Sequence, residues 1–143
     1  MPVNQQRVAM ITGGNSGIGF ATATKLAAKG FHVIMASRNQ QTSAQAIARI
    51  KVGNPNASVE SIPLDLASFA SVRQCAVAFQ AKGYPLHVLI NNAGGSIAGK
   101  QARFSTDGFE LTLATNHLGH FLFTNLLLGD LERSAPALSL IHI

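Results

Sequence analysis

The chain has 143 residues, enough for one domain with a buried core and too few for two comfortable ones. Its composition is 47% hydrophobic and 12% charged, yet no apolar run approaches the roughly 18 residues of a membrane span. The 11 basic and 6 acidic side chains give a formal charge of +5, but the basic residues stand singly from Arg7 to Arg133, without a stripe or interleaved aromatics, which argues against nucleic acid and suits a small anionic ligand better.

In chain order, the polar start over residues 1–7 has no signal-peptide shape, so a cytosolic protein is expected. Apolar runs then alternate with helical patterns, the signature of βα units and a parallel sheet. Residues 7–11 read as a strand ending at Thr12-Gly13-Gly14, and 16–29 as a helix with Ile18, Ala21, Leu26 and Ala27 on its apolar face, closed by Gly30. A second strand over 31–36 leads to a helix over 40–51, stopped by Gly53-Asn54-Pro55. A third strand over 58–64 ends at Asp65, and Ser68 reads as the N-cap of a helix running to about residue 82. The lone cysteine, Cys75, falls on this helix; it cannot form an internal disulfide, reads as a small apolar filler and fits a reducing compartment. The fourth strand, 86–90, stops at Asn91-Asn92-Ala93-Gly94. After a loop rich in Gly, Ala and Ser, Asp107 with Glu110 reads as a capping box opening a long apolar helix to about residue 128. No linker or repeat divides the chain. The expected fold class is α/β, a Rossmann-type doubly wound parallel sheet of four strands with their helices, in which ligands sit beyond the carboxyl ends of the strands.

The residues at those ends carry the chemistry. Thr12-Gly13-Gly14-Asn15-Ser16-Gly17-Ile18-Gly19 follows a strand and opens a helix. A pyrophosphate has to approach backbone N–H groups at a helix N-terminus, where orphan donors and the dipole favour anions, and a Cβ in the turn would hold it off. The end of the second strand, Ala36-Ser37-Arg38-Asn39, lacks the carboxylate that an NAD site uses to hold the ribose 2′-OH. Ser37 could donate to a 2′-phosphate and Arg38 pair with it in two-pronged fashion, so NADP(H) is expected over NAD(H); the competing reading leaves Arg38 a solvated residue at a helix start. His117 and His120 share a helix face, but no third ligand is in sight and no metal site is expected.

In order and spacing, Thr-Gly-x-x-x-Gly-Ile-Gly, Asp65-Leu66, Asn91-Asn92-Ala93-Gly94 and Asn116 resemble the short-chain dehydrogenase/reductase family over residues 7–137. Asn116-His117-Leu118-Gly119-His120-Phe121-Leu122 looks most like the branch that includes retinol dehydrogenases, WW-domain oxidoreductases and protochlorophyllide reductases. The resemblance implies that Gly13, Gly17 and Gly19 shape the turn while Asn15, Ser16 and Ile18 line the phosphates and ribose. It implies that Asp65 and Leu66 border the adenine, that Asn92, Ala93 and Gly94 pass under the adenine-side ribose, and that Asn91 ties the central strands together. Asn116 corresponds to the asparagine of the family's Asn-Ser-Tyr-Lys catalytic set, and the helix around it commonly packs against a second subunit.

The rest of that set is missing. The one tyrosine, Tyr84, has no lysine four residues on and precedes the fourth strand. After Ala135-Pro136-Ala137 the chain reads Leu138-Ser139-Leu140-Ile141-His142-Ile143, which is what CTG-TCT-CTT-ATA-CAC-ATC would encode and resembles a sequencing-library adapter. The expectation is a dinucleotide-binding domain over 1–137, cut short, with a non-native tail over 138–143; the competing reading of the tail is a natural fifth strand covering the open edge of the fourth. Two functions follow: an NADP(H)-dependent oxidoreductase of a small carbonyl or alcohol, represented here without its Ser, Tyr and Lys, or a non-catalytic NADP(H)-binding or regulatory protein.

Overall fold

The computed structural model describes residues 6–96, 99 and 101–141. The polar start over 1–5, the loop positions Ile97, Ala98 and Lys100, and the tail residues His142 and Ile143 lie outside the described residues. The elements run β1 (Val8–Thr12), α1 (Gly17–Ala28), β2 (His32–Ser37), α2 (Gln40–Gly53), β3 (Val59–Pro63), α3 (Phe69–Gln80), β4 (Val88–Asn91), α4 (Leu111–Leu113), a π-helical turn (Ala114–Leu118), α5 (Gly119–Arg133) and β5 (Leu138–Ile141). The five strands form one parallel sheet in the order β3-β2-β1-β4-β5, a Rossmann-like α/β fold.

All five residues of β1 are buried, because β1 lies at the centre of a sheet covered on both faces and successive side chains serve opposite layers. Val8 and Met10 join Ile34, Leu89, Phe79, Phe123 and Leu127 in the layer roofed by α3 and α5. Ala9 and Ile11 join Val33, Met35, Ala23, Ala27 and Ile50 beneath α1 and α2. The chain lays β2 and β3 on one side of β1, then returns to place β4 on the other. That reversal parts the connections leaving β1 and β4 and opens a crevice beyond their carboxyl ends.

Three expectations need correction. The face of α1 turned to the core is Gly19, Ala23 and Ala27, whereas Ile18 is 69% exposed and Ala21 is exposed; α1 packs so closely on the sheet that only small side chains fit between. Asp107 does not open the long helix: its Oδ2 accepts from Phe69 N at the start of α3, 2.9 Å away. Glu110 caps α4 alone, accepting from Thr112 N and Leu113 N at 2.9 and 2.8 Å. The helix also runs beyond 128 to Arg133, since Leu131 still reaches the core. The strand open to either reading, β5, pairs in parallel with β4 from Leu138 opposite Val88 to Ile141 opposite Asn91, with Leu138, Leu140 and Ile141 exposed. Among the described residues no helix is long and apolar enough to cross a membrane.

Candidate functional site

A cleft of about 970 Å³ lies beyond the carboxyl ends of β1, β2, β3 and β4. Its first wall is the turn from β1 into α1. Gly13 adopts φ +67° and donates its N–H to Ala36 O at 2.9 Å; a Cβ there would come 3.1 Å from Ala93 Cα. Gly19 sits against this turn, where a Cβ would overlap the Gly13 carbonyl and lie 2.6 Å from Asn92 Nδ2. Ser16 occupies the N-cap of α1 without a side-chain cap bond, which leaves the first-turn N–H groups for whatever fills the cleft. Asn15 Nδ2 donates to Thr42 Oγ1 at 2.8 Å, tying the turn to α2.

At the end of β2, Arg38 is exposed on the rim and forms no ion pair among the described residues. Ser37 lines the cleft but does not offer a proton to it. Ser43 Oγ donates to Asn39 O, so the Ser37 hydroxyl, 2.5 Å from Ser43 Oγ, donates to Ser43. The expected Ser37 donor is therefore engaged within the protein. After β3, Asp65 Oδ1 accepts from Ala67 N at 3.0 Å and Leu66 is buried beside it.

Beyond β4, Asn92 N and Ala93 N both donate to Thr12 Oγ1 at 2.9 Å, and Asn92 Nδ2 donates to Thr12 O at 3.0 Å. Thus Asn92 joins β4 to β1; Asn91, expected in that role, donates instead to Thr124 Oγ1 on α5 at 3.1 Å. Asn116 lies in the π-helical turn, a common break in helical register at functional sites. Its side-chain amide clasps Gly95, accepting from Gly95 N at 3.1 Å and donating to Gly95 O at 3.0 Å.

The structure thus brings Gly13, Asn15, Ser16, Gly17, Ile18 and Gly19, Ser37 and Arg38, Asp65 and Leu66, the stretch 92–94 and Asn116 onto one cleft. Gly95, Ser96, Arg103, Thr115 and His117 join them without having been singled out for it. Arg38 and Arg103 outnumber Asp65, so the scattered positive charge of the sequence favours an anion here. Thr12 and His120 were missed as site residues. His120 recurs with Phe123, Leu127 and Leu131 at core-facing helical spacing, a signal for burial that the pairing with His117 obscured. The two histidines part: His117 is exposed on the cleft, while His120 is buried between Thr12 and the Asn116 carbonyl. Among the described residues, no three His, Cys, Asp or Glu side chains gather where a metal could sit. Cys75 is buried on α3 and its thiol is pushed up to about 12, which leaves it protonated. Tyr84 packs edge-on to His32, 5.2 Å between ring centres, where β2 begins, at the opposite end of the sheet from the cleft.

The family model for short chain dehydrogenases matches residues 7–138. The chain is 47% identical to human polyprenol dehydrogenase over 133 residues, covering 93% of this chain and 40% of that protein. It is 49% identical to the WW domain-containing oxidoreductase of Danio rerio over 131 residues, covering 92% of this chain and 31% of that one. It therefore spans well under half the length of these relatives. Among solved structures, the RhlG/NADP active-site complex of Pseudomonas aeruginosa superposes with a TM-score of 0.77 at 30% identity, over 93% of this chain and 51% of that one.

Proposed function

Because the chain belongs to the short-chain dehydrogenase family, we propose that its cleft holds NADP(H) and that it forms part of an oxidoreductase interconverting a small carbonyl and its alcohol. One observation carries the reading: the uncapped start of α1, Arg38, Asp65 and the loop after β4 all face a single cleft of about 970 Å³, at the upper end of the roughly 300–1,000 Å³ of cofactor pockets.

The residues present fit the dinucleotide. The free N–H groups of the first turn of α1 hold the pyrophosphate, which Gly13 and Gly19 allow to come close. Arg38, committed to no carboxylate among the described residues, would hold the 2′-phosphate through its guanidinium. The Asp65 oxygen not used by Ala67 accepts from the adenine amino group, with Leu66 against the ring. Asn92, Ala93 and Gly94, held to β1 through Thr12, support the adenine-side ribose, and Asn116 keeps Gly95 and the far wall in place. When bound, NADP(H) supplies the hydride. The similarity to the RhlG/NADP complex supports this choice of cofactor.

A carbonyl reduction also needs a proton donor beside the nascent alkoxide. The one tyrosine of the chain is Tyr84, at the wrong end of the sheet, so these 143 residues bind cofactor without turning a substrate over. The second reading is a non-catalytic NADP(H)-binding protein. An open frame beyond codon 137 encoding Tyr-x-x-x-Lys selects the oxidoreductase, and a stop codon selects the binding protein. The unpaired Cys75 fits a cytosolic setting, and a second copy of the chain covers the exposed Leu113, Phe121 and Leu128 along the long helix. The site assignment is tested by titrating NADP⁺ into isotope-labelled protein. Amide shifts concentrated at residues 13–19, Arg38, Asp65 and 92–95 support it, and shifts confined elsewhere contradict it.

A further inference from the structure

Thr12 Oγ1, at the seam of β1 and β4, accepts hydrogen bonds from Asn92 N and Ala93 N, both at 2.9 Å. A hydroxyl has two lone pairs and one proton. With both lone pairs taken, its proton goes to the third neighbour, His120 Nε2, 2.8 Å away. That nitrogen must then be bare. The other ring nitrogen, Nδ1, lies 3.2 Å from the Asn116 carbonyl oxygen, which only accepts, so Nδ1 carries the ring's proton. The four bonds have one consistent direction, from the two amides through Thr12 and His120 to Asn116, and it demands a neutral, Nδ1-protonated imidazole. His120 is 2% exposed, so these bonds are made away from bulk water.

We propose that His120 is a positioning residue of the dinucleotide cleft, whose neutral ring fastens the floor at Thr12 to the π-helical wall at Asn116. The proposal rests on the dinucleotide reading above. Thr12 holds the residues placed under the ribose, while Asn116 holds Gly95, so His120 joins two walls that no strand pairing connects.

Protonation would undo the fastening. An N–H at Nε2 faces the Thr12 O–H; for Thr12 to accept from it, the hydroxyl must release Asn92 N or Ala93 N. Burial holds His120 below the usual 6.5, the Asn116 carbonyl pulls upward, and His117 one turn earlier pushes further down. Among the described residues, His117 is the one charge that acts on the ring; β1 brings the neutral Thr12 against it, and Asp65, in the loop after β3, is turned back onto Ala67 N. Acid strong enough to protonate the ring therefore weakens dinucleotide binding, by at most about tenfold per pH unit for one proton.

Two measurements on the 143-residue chain test this. Long-range ¹H–¹⁵N NMR of the imidazole ring is expected to show Nδ1–H for His120 at pH 7.5; an Nε2–H tautomer overturns the proposal. NADP⁺ affinity is then measured calorimetrically at pH 7.5 and pH 5.0 in an H117Q background, to remove the cleft's other histidine. H120F is expected to bind at least tenfold more weakly at pH 7.5. H120Q, whose side-chain carbonyl can still accept from Thr12, recovers most of that loss and weakens less on acidification than the chain keeping His120. Parallel pH profiles with and without His120 overturn the positioning role while leaving the dinucleotide reading intact. Absence of NADP⁺ binding at any pH overturns both.

Discussion

Replacing Gly19 with alanine puts the close approach of α1 to its preceding turn to the test. The added Cβ would overlap the Gly13 carbonyl and lie 2.6 Å from Asn92 Nδ2. Neither neighbour is free to retreat. Gly13 is pinned through its N–H to Ala36 O at 2.9 Å, and Asn92 Nδ2 is bonded to Thr12 O at 3.0 Å. The start of α1 must therefore draw back by roughly 1 Å to reach van der Waals separation. Such overpacking costs about 1–3 kcal/mol, against about 1 kcal/mol gained in helix propensity over glycine. The net loss, about 0–2 kcal/mol, is small for the fold. Its effect on the cleft is larger, since hydrogen bonds from the α1 N–H groups to a phosphate would stretch by a comparable distance and pass beyond useful range. Calorimetry with NADP⁺ is expected to show at least a hundredfold loss in affinity while the melting temperature falls by less than about 8 °C. Affinity within threefold of the unsubstituted chain would mean that α1 is not held by this contact.

Other consequences lie away from the cleft. Phe123 is fully buried between α5 and the sheet, and Phe123→Ala is expected to lower urea-unfolding stability by about 3–5 kcal/mol; a loss under about 1 kcal/mol would contradict the packing described. Burial raises the Glu60 carboxyl pKa, but bonds from His32 and Lys82 outweigh burial and hold it below 4.5. A depressed carboxylate stabilises the fold above its unfolded pKa and loses that contribution as pH falls through its folded value. Glu60→Gln is therefore expected to be less stable than the parent at pH 7, with the gap closing below about pH 4; a gap that does not change with pH would contradict it.

The sheet was legible because each strand is a short apolar run bounded by glycine, proline or polar residues, and a parallel sheet covered on both faces calls for such runs. Strand boundaries moved by only one or two residues, as at β2, where Phe31 packs in the core just before pairing begins at His32. What escaped reading was set by contacts between distant elements. Asp107 looks like a helix cap in sequence, yet its carboxylate serves Phe69 across 38 positions. The inner face of α1 escaped because alanine and glycine carry little apolar signal although they alone fit the contact. At the cleft the motif residues converge as their spacing suggested, whereas Thr12 and His120 do not stand out: one hydroxyl and one imidazole acquire meaning only when β1 and α5 are brought together over 108 positions.

Preference of the cleft for NADP(H) should reside at Arg38. A charge-assisted, two-pronged bond to a phosphate at an exposed position contributes on the order of 1.5–3 kcal/mol, or about 10- to 100-fold in affinity. Calorimetric titration of the 143-residue chain is expected to show NADP⁺ binding at least tenfold tighter than NAD⁺, with the preference lost or reversed in Arg38→Glu and narrowed by added salt. Equal affinities for the two dinucleotides, unchanged by Arg38→Glu, would contradict it.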